Sequence, residues 1–95
     1  MIDLEENYIT LIKNTFDNYL SNYKLYIFGS RTKGRAHEYS DIDLAVDSPE
    51  FTNQTKLAIE NYFADSTIPY KIDIVDLNSI TEQFKKLISK DLIEL

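Results

Sequence analysis

Apolar residues recur at steps of three and four between Leu4 and Leu20, through Tyr8, Ile9, Leu11, Ile12, Phe16 and Tyr19. That is the spacing of one helical face and predicts a first helix over 4–20. The period then changes. Tyr23 to Phe28 is a short aromatic and aliphatic run that stops at Gly29, which reads as a buried strand ended by a tight turn. Ser30 is expected to open a short helix reaching about Lys33. From Asp41 to Asp47 the alternation is strict, with Asp41, Asp43, Ala45 and Asp47 on one side and Ile42, Leu44 and Val46 on the other, so this strand has one acidic and one aliphatic face.

Ser48-Pro49 has the form of a helix start, with Ser48 as N-cap and Pro49 in the first position. Phe51, Leu57, Ala58, Ile59, Tyr62 and Phe63 supply the apolar surface of that helix, and Asp65 to Pro69 breaks it. Tyr70 to Leu77 predicts a third strand, Ile72 and Ile74 facing one way and Lys71, Asp73 and Val75 the other. Ser79 to Glu82 has capping-box spacing. Phe84, Leu87, Ile88 and Leu92 continue as an amphipathic last helix with Lys85, Lys86 and Lys90 outside. The expected class is α/β (α+β), a small mixed β-sheet with helices packed on one face, formed by a single domain over residues 1–95.

Composition narrows the setting. Ninety-five residues, 43% hydrophobic and 27% charged, suit one modest core and leave any chemistry on an open face. No apolar run approaches the ~20 residues that span a bilayer. Acids near the N-terminus, where a secretory signal carries bases, and the absence of cysteine lead us to expect a cytoplasmic protein with no membrane partner. A net charge of −6 opposes a broad footprint on long nucleic acid. Between Lys24 and His37, however, four cations stand without an acid, a small basic patch suited to a small polyanion.

The candidate chemistry lies where those features meet. Asp41 and Asp43, at i and i+2 on a strand, point the same way with Cα atoms roughly 6.5 Å apart, close enough to share a cation. Mg2+ prefers oxygen ligands and is commonly held by one or two carboxylates together with substrate phosphates. Two-metal sites clamp both the attacking and the leaving oxygen, and Asp73 is the candidate to complete such a site or to accept a proton from an attacking hydroxyl. Gly29 permits close backbone approach to a phosphate, and Ser30 adds a hydroxyl at the start of the next turn. Arg31, Lys33 and Arg35 are candidates to offset phosphate charge. His37, the single histidine, falls in a polar stretch and reads as solvated. With no cysteine and no histidine beside a serine elbow, nucleophilic triads are excluded.

The run Gly29-Ser30-Arg31-Thr32-Lys33-Gly34, then Ser40-Asp41-Ile42-Asp43-Leu44-Ala45-Val46, resembles the signature of the DNA polymerase β-like nucleotidyltransferases, with ten residues between Gly29-Ser30 and Asp41. Its wording is similar to the minimal nucleotidyltransferase (MNT) branch, with Lys33 where relatives often carry arginine. The resemblance implies the polymerase β-like fold, metal ligation by Asp41, Asp43 and Asp73, Mg2+ as two ions, and nucleotide phosphate contacts at Gly29 and Ser30. It further implies an antitoxin that transfers AMP from ATP to a tyrosine of a cognate HEPN ribonuclease toxin. The alternative is a non-catalytic antitoxin that neutralises its toxin by covering it. Transfer to tRNA or to an antibiotic is disfavoured by net acidity and by the lack of a substrate domain.

Overall fold

The computed structural model describes residues 2–32 and 41–95. Its elements are α1 (Glu6–Tyr19), β1 (Lys24–Phe28), a 3-10 turn (Ser30–Thr32), β2 (Ile42–Asp47), α2 (Asn53–Ala64), β3 (Ile72–Asp76), α3 (Glu82–Ser89) and β4 (Ile93–Glu94). The strands form one mixed sheet in the order β3-β2-β1-β4. β1 is antiparallel to both β2 and β4, whereas β2 and β3 run parallel. A parallel pair needs a crossover, and α2 supplies it.

The aliphatic phases of the strands meet on one face. Leu25 and Ile27 from β1, Ile42, Leu44 and Val46 from β2, and Ile72 and Ile74 from β3 join Ile12 and Phe16 of α1 and Ile59 and Phe63 of α2 in the main core. Ile12, Phe16, Ile27, Ile42, Leu44, Val46 and Ile59 are wholly inaccessible, so β2 is pinned by its entire aliphatic face. Thr15, also buried in α1, is satisfied by donating its hydroxyl to the Leu11 carbonyl at 2.7 Å. The opposite phase, Tyr26, Phe28 and Ala45, belongs to a second, smaller cluster with Leu77 and with Ile88 of α3. The aliphatic face is thus covered by α1 and α2, and α3 covers part of the other.

Three local readings are corrected. The second helix begins at Asn53, with Thr52 as N-cap accepting from the Thr55 amide at 3.2 Å, and Ser48 does not start it. Ser48 is buried; its hydroxyl donates to the Asn22 carbonyl at 2.6 Å and accepts the Glu50 amide at 3.1 Å. Satisfied in that way, Ser48-Pro49-Glu50 forms a turn instead of a first helical turn. Glu50 closes the same corner by accepting the Ser21 and Asn22 amides at 3.0 and 2.8 Å, and these hydrogen bonds hold its carboxyl below its ordinary range.

The cap of the last helix is Thr81, which accepts from the Phe84 amide, while Ser79 donates to the Asp76 carboxylate at 2.9 Å. That helix stops at Ser89, and the residues after Leu92 pair with β1 as a fourth strand, Tyr26 opposite Glu94 and Ile27 opposite Ile93. Sheet pairing overrides the helical period there because Ile27 is a core position and its strand otherwise has an open edge. Of the expected apolar stripe of α3, Ile88 is buried, whereas Phe84 and Leu87 are exposed.

The Ser48 corner can be tested directly. Ser48→Ala leaves the Asn22 carbonyl and the Glu50 amide without their shared partner, which is expected to cost about 1–2 kcal/mol. Thermal unfolding followed by circular dichroism should show a midpoint lowered by roughly 4–10 °C.

Candidate active site

The sheet register places the acidic residues side by side. In the antiparallel pairing Phe28 stands opposite Asp43, and in the parallel pairing Asp43 stands opposite Asp73. One row across the sheet therefore reads Phe28, Asp43, Asp73, all on the face away from the main core. Asp41 precedes β2 and is exposed, Asp43 is half-buried, and the Asp73 side chain is 45% accessible. The register makes Asp43 and Asp73 neighbours across β2 and β3, whereas Asp41 lies just ahead of β2.

Gly29 leaves β1 next to this row. Its φ is +87°, a conformation that L side chains rarely adopt. A Cβ at that position would collide with Oδ2 of Asp43. The glycine is thus required twice, by the turn and by the close approach of backbone to carboxylate. Thr32 fastens the turn, its amide and its hydroxyl both donating to the Gly29 carbonyl, at 3.0 and 2.8 Å. Thr32 was not singled out from the sequence, although a hydroxyl residue three positions after a turn glycine is a usable signal for such a closure.

Burial is the largest cause raising the Asp43 carboxyl above its ordinary value, followed by the charges of Asp73 and then Asp41. These three acids therefore share one electrostatic field. Lys71 stands two residues before Asp73, its Nζ 3.7 Å from Oδ1. It too was placed on the strand without being counted in the site. Among the described residues no three His, Cys, Asp or Glu side chains already close around one ion. Oxygen donors are the ligand type that a hard cation such as Mg2+ takes, commonly as one or two carboxylates with water and substrate oxygens completing the shell.

Arg31 is placed differently from a phosphate-facing cation on an open surface. It is only 4% accessible, its guanidinium lies over the Tyr70 ring at 4.1 Å, and Nη1 donates to the Asp3 carbonyl at 2.8 Å. Its own carbonyl accepts the Asp3 amide at 2.8 Å. These contacts tie the turn after Gly29 to the segment before α1 and to the start of β3. Lys33, Arg35 and His37 lie outside the described residues. Ser30 begins the 3-10 turn.

A family model described as Polymerase beta, Nucleotidyltransferase matches residues 10–95. The chain belongs to this family. The nucleotidyltransferase is 32% identical over 92 residues to a Haemophilus influenzae protein named probable protein adenylyltransferase MntA, covering 94% of this chain and 79% of that one. Its fold superposes on a crystal structure of a toxin-antitoxin with AMP-PNP at a TM-score of 0.78 and 26% identity, over 96% of this chain and 72% of that chain. A structure of a tri-AMPylated Shewanella oneidensis HEPN toxin in complex with MNT antitoxin is similar in fold at a TM-score of 0.69 and 21% identity, over 90% and 66%. The family, the polymerase β-like fold and the nucleotidyltransferase class thus agree with the reading of the Gly29 to Val46 stretch. Among the described residues, no helix is long and apolar enough to cross a membrane.

Two outcomes follow for the nucleotidyltransferase. Gly29→Ala forces both a disfavoured φ and a collision with Asp43, and is expected to cost about 2–4 kcal/mol, read as a lowered denaturation midpoint. Asp43→Asn should act in the opposite direction in metal-free buffer. A raised carboxyl means that the neutral form fits the fold better, so the wild type is relatively most stable below the ordinary aspartate value of 3.8 and loses that advantage as pH rises through the raised value. At pH 7 the variant should melt roughly 2–5 °C higher, and the gap should close on acidification toward pH ~4.

Proposed function

We propose that this chain is a Mg2+-dependent protein adenylyltransferase that acts as an antitoxin, moving AMP from ATP to a tyrosine hydroxyl of a cognate HEPN ribonuclease toxin. The observation that carries the reading is the cross-strand row in which Asp43 stands beside Asp73 and beneath the backbone of Gly29. A phosphate turn and a carboxylate cluster occupy one end of one sheet. Similarity to a protein named as an adenylyltransferase, and to toxin-antitoxin structures with AMP-PNP or an AMPylated HEPN toxin, supports the donor and the acceptor.

Asp41, Asp43 and Asp73 would hold Mg2+, which supplies positive charge against the triphosphate and orients its oxygens when bound. Gly29 brings backbone close to the phosphates with no side chain between, and Ser30 is proposed as a contact to the same anion. Arg31 and Thr32 keep that turn in place from beneath. Lys33 is proposed as a further phosphate contact. Asp73, whose side chain is 45% accessible, is proposed to receive the proton of an incoming hydroxyl. The acceptor oxygen forms a bond to the α-phosphorus, the bond from that phosphorus to the bridging oxygen breaks, and pyrophosphate leaves. Positioning and charge stabilisation are the chain's contribution, as in phosphoryl transfer generally. Acting as one domain over 1–95 in the cytoplasm, the chain takes its acceptor from the toxin.

The test is incubation with ATP, Mg2+ and the neighbouring toxin, with intact mass of the toxin as readout. Wild type should add AMP-sized increments, and Asp41→Asn/Asp43→Asn should lose transfer by at least about 100-fold. If the double variant silences the toxin as well as wild type and no mass is ever gained, neutralisation is by binding.

A further inference from the structure

Among the described residues, Lys71 is a basic side chain that meets the acidic row. Its backbone is fixed, because its carbonyl accepts the Ile42 amide at 2.8 Å in the β2–β3 ladder. It immediately precedes β3, two positions before Asp73, and its side chain reaches toward that residue. Its side chain is not fixed: 72% of it is accessible, and it meets Asp73 at 3.7 Å, longer than a charge-assisted hydrogen bond of ~2.7–2.9 Å. An ion pair this loose and this exposed adds little to stability. Structural need therefore does not explain a cation placed at this point.

Ligand charge does explain it. Asp41, Asp43 and Asp73 crowd one end of the sheet with negative charge, enough for Asp73 and Asp41 to raise the Asp43 carboxyl. A nucleoside triphosphate approaching that end brings several more negative charges, and a flexible four-carbon stem lets an ammonium follow them. We propose that Lys71 is a phosphate-binding residue of this site, resting against Asp73 while the site is empty and passing its ammonium to a phosphate oxygen of the bound nucleotide. This rests on the adenylyltransferase reading for the identity of the nucleotide. The exchange leaves Asp73 without its resting partner once the nucleotide is in place, so loading the site and freeing that carboxylate become one event.

The experiment compares wild type, Lys71→Ala and Lys71→Arg by calorimetric titration with a nonhydrolysable ATP analogue and Mg2+, alongside thermal unfolding without ligand. Lys71→Ala should bind about 10-fold more weakly or worse, Lys71→Arg should stay within about 3-fold of wild type because it keeps the charge, and all three should melt within about 2 °C of one another. In the AMP-transfer assay the alanine variant should raise the KM for ATP by a similar factor with kcat changed much less. Equal affinity of wild type and Lys71→Ala for the analogue overturns the proposal, as does a weakened affinity that is matched by a lower melting point and not restored by arginine. If wild type transfers AMP and the alanine variant binds normally, the Lys71 assignment alone fails. If wild type binds the analogue through Lys71 yet never transfers AMP, the phosphate contact stands and the transferase reading fails.

Discussion

The approach of the Gly29 backbone to the Asp43 carboxylate is the constraint on which the rest of this structure depends. The turn must leave β1 with positive φ and must pass so near Oδ2 that no Cβ fits between them. Asp43 in turn cannot retreat, because Ile42 and Leu44 on either side of it in β2 are fully buried in the main core. The strand with the most secure burial thus carries the acid with the least comfortable charge. That pairing is physically sensible, since a carboxylate pressed by two neighbours and partly removed from water moves away unless its backbone is held by something stronger.

The turn is held just as firmly from its other side. Asp3 and Arg31 exchange hydrogen bonds in both directions, and the Arg31 guanidinium lies over Tyr70, which also meets Tyr8 edge-on at 5.8 Å between ring centres. Tyr70 is followed at once by Lys71, Ile72 and Asp73. One small assembly therefore joins the segment before α1, the turn after Gly29 and the approach to β3, fixing that turn relative to Asp73. Arg31, a candidate phosphate contact in the sequence, is buried within this assembly and holds the turn through these contacts.

The legible part of this chain is the part in which local period and tertiary position agree. Strict alternation survives from Ile42 to Asp47, with Asp41 just ahead of the strand, because β2 is central and its two faces meet different surroundings, so face and register follow from the pattern. The same alternation in Ile72 to Asp76 gave Asp73 its correct side. What the residues alone did not reveal depends on partners distant in sequence. Ser48 looks like a helix cap until Asn22, twenty-six positions away, takes its hydroxyl. Ile93 and Glu94 look like the tail of an amphipathic helix until the open edge of β1 claims them. Arg31 looks like a phosphate contact until the Tyr70 ring and Asp3 enclose it. Each miss is a tertiary contact overriding what the local sequence suggests, and the three carboxylates themselves do not close into one group among the described residues.

That row also has a gradient that bears on how it could work. Asp43 is half-buried and fixed, whereas Asp41 is exposed and Asp73 is met only loosely by Lys71. Preorganisation of all three acids around one point would impose the full cost of their repulsion on the empty protein, and the described carboxylates do not close in that way. Holding one acid rigidly and leaving two adjustable limits the cost to what the core of β2 can restrain. The remaining convergence would then need positive charge, which in the proposed reaction comes with the metal-bound nucleotide. In the proposed reaction this makes the nucleotide a structural component of its own site, and catalytic geometry forms when donor and acceptor are both present.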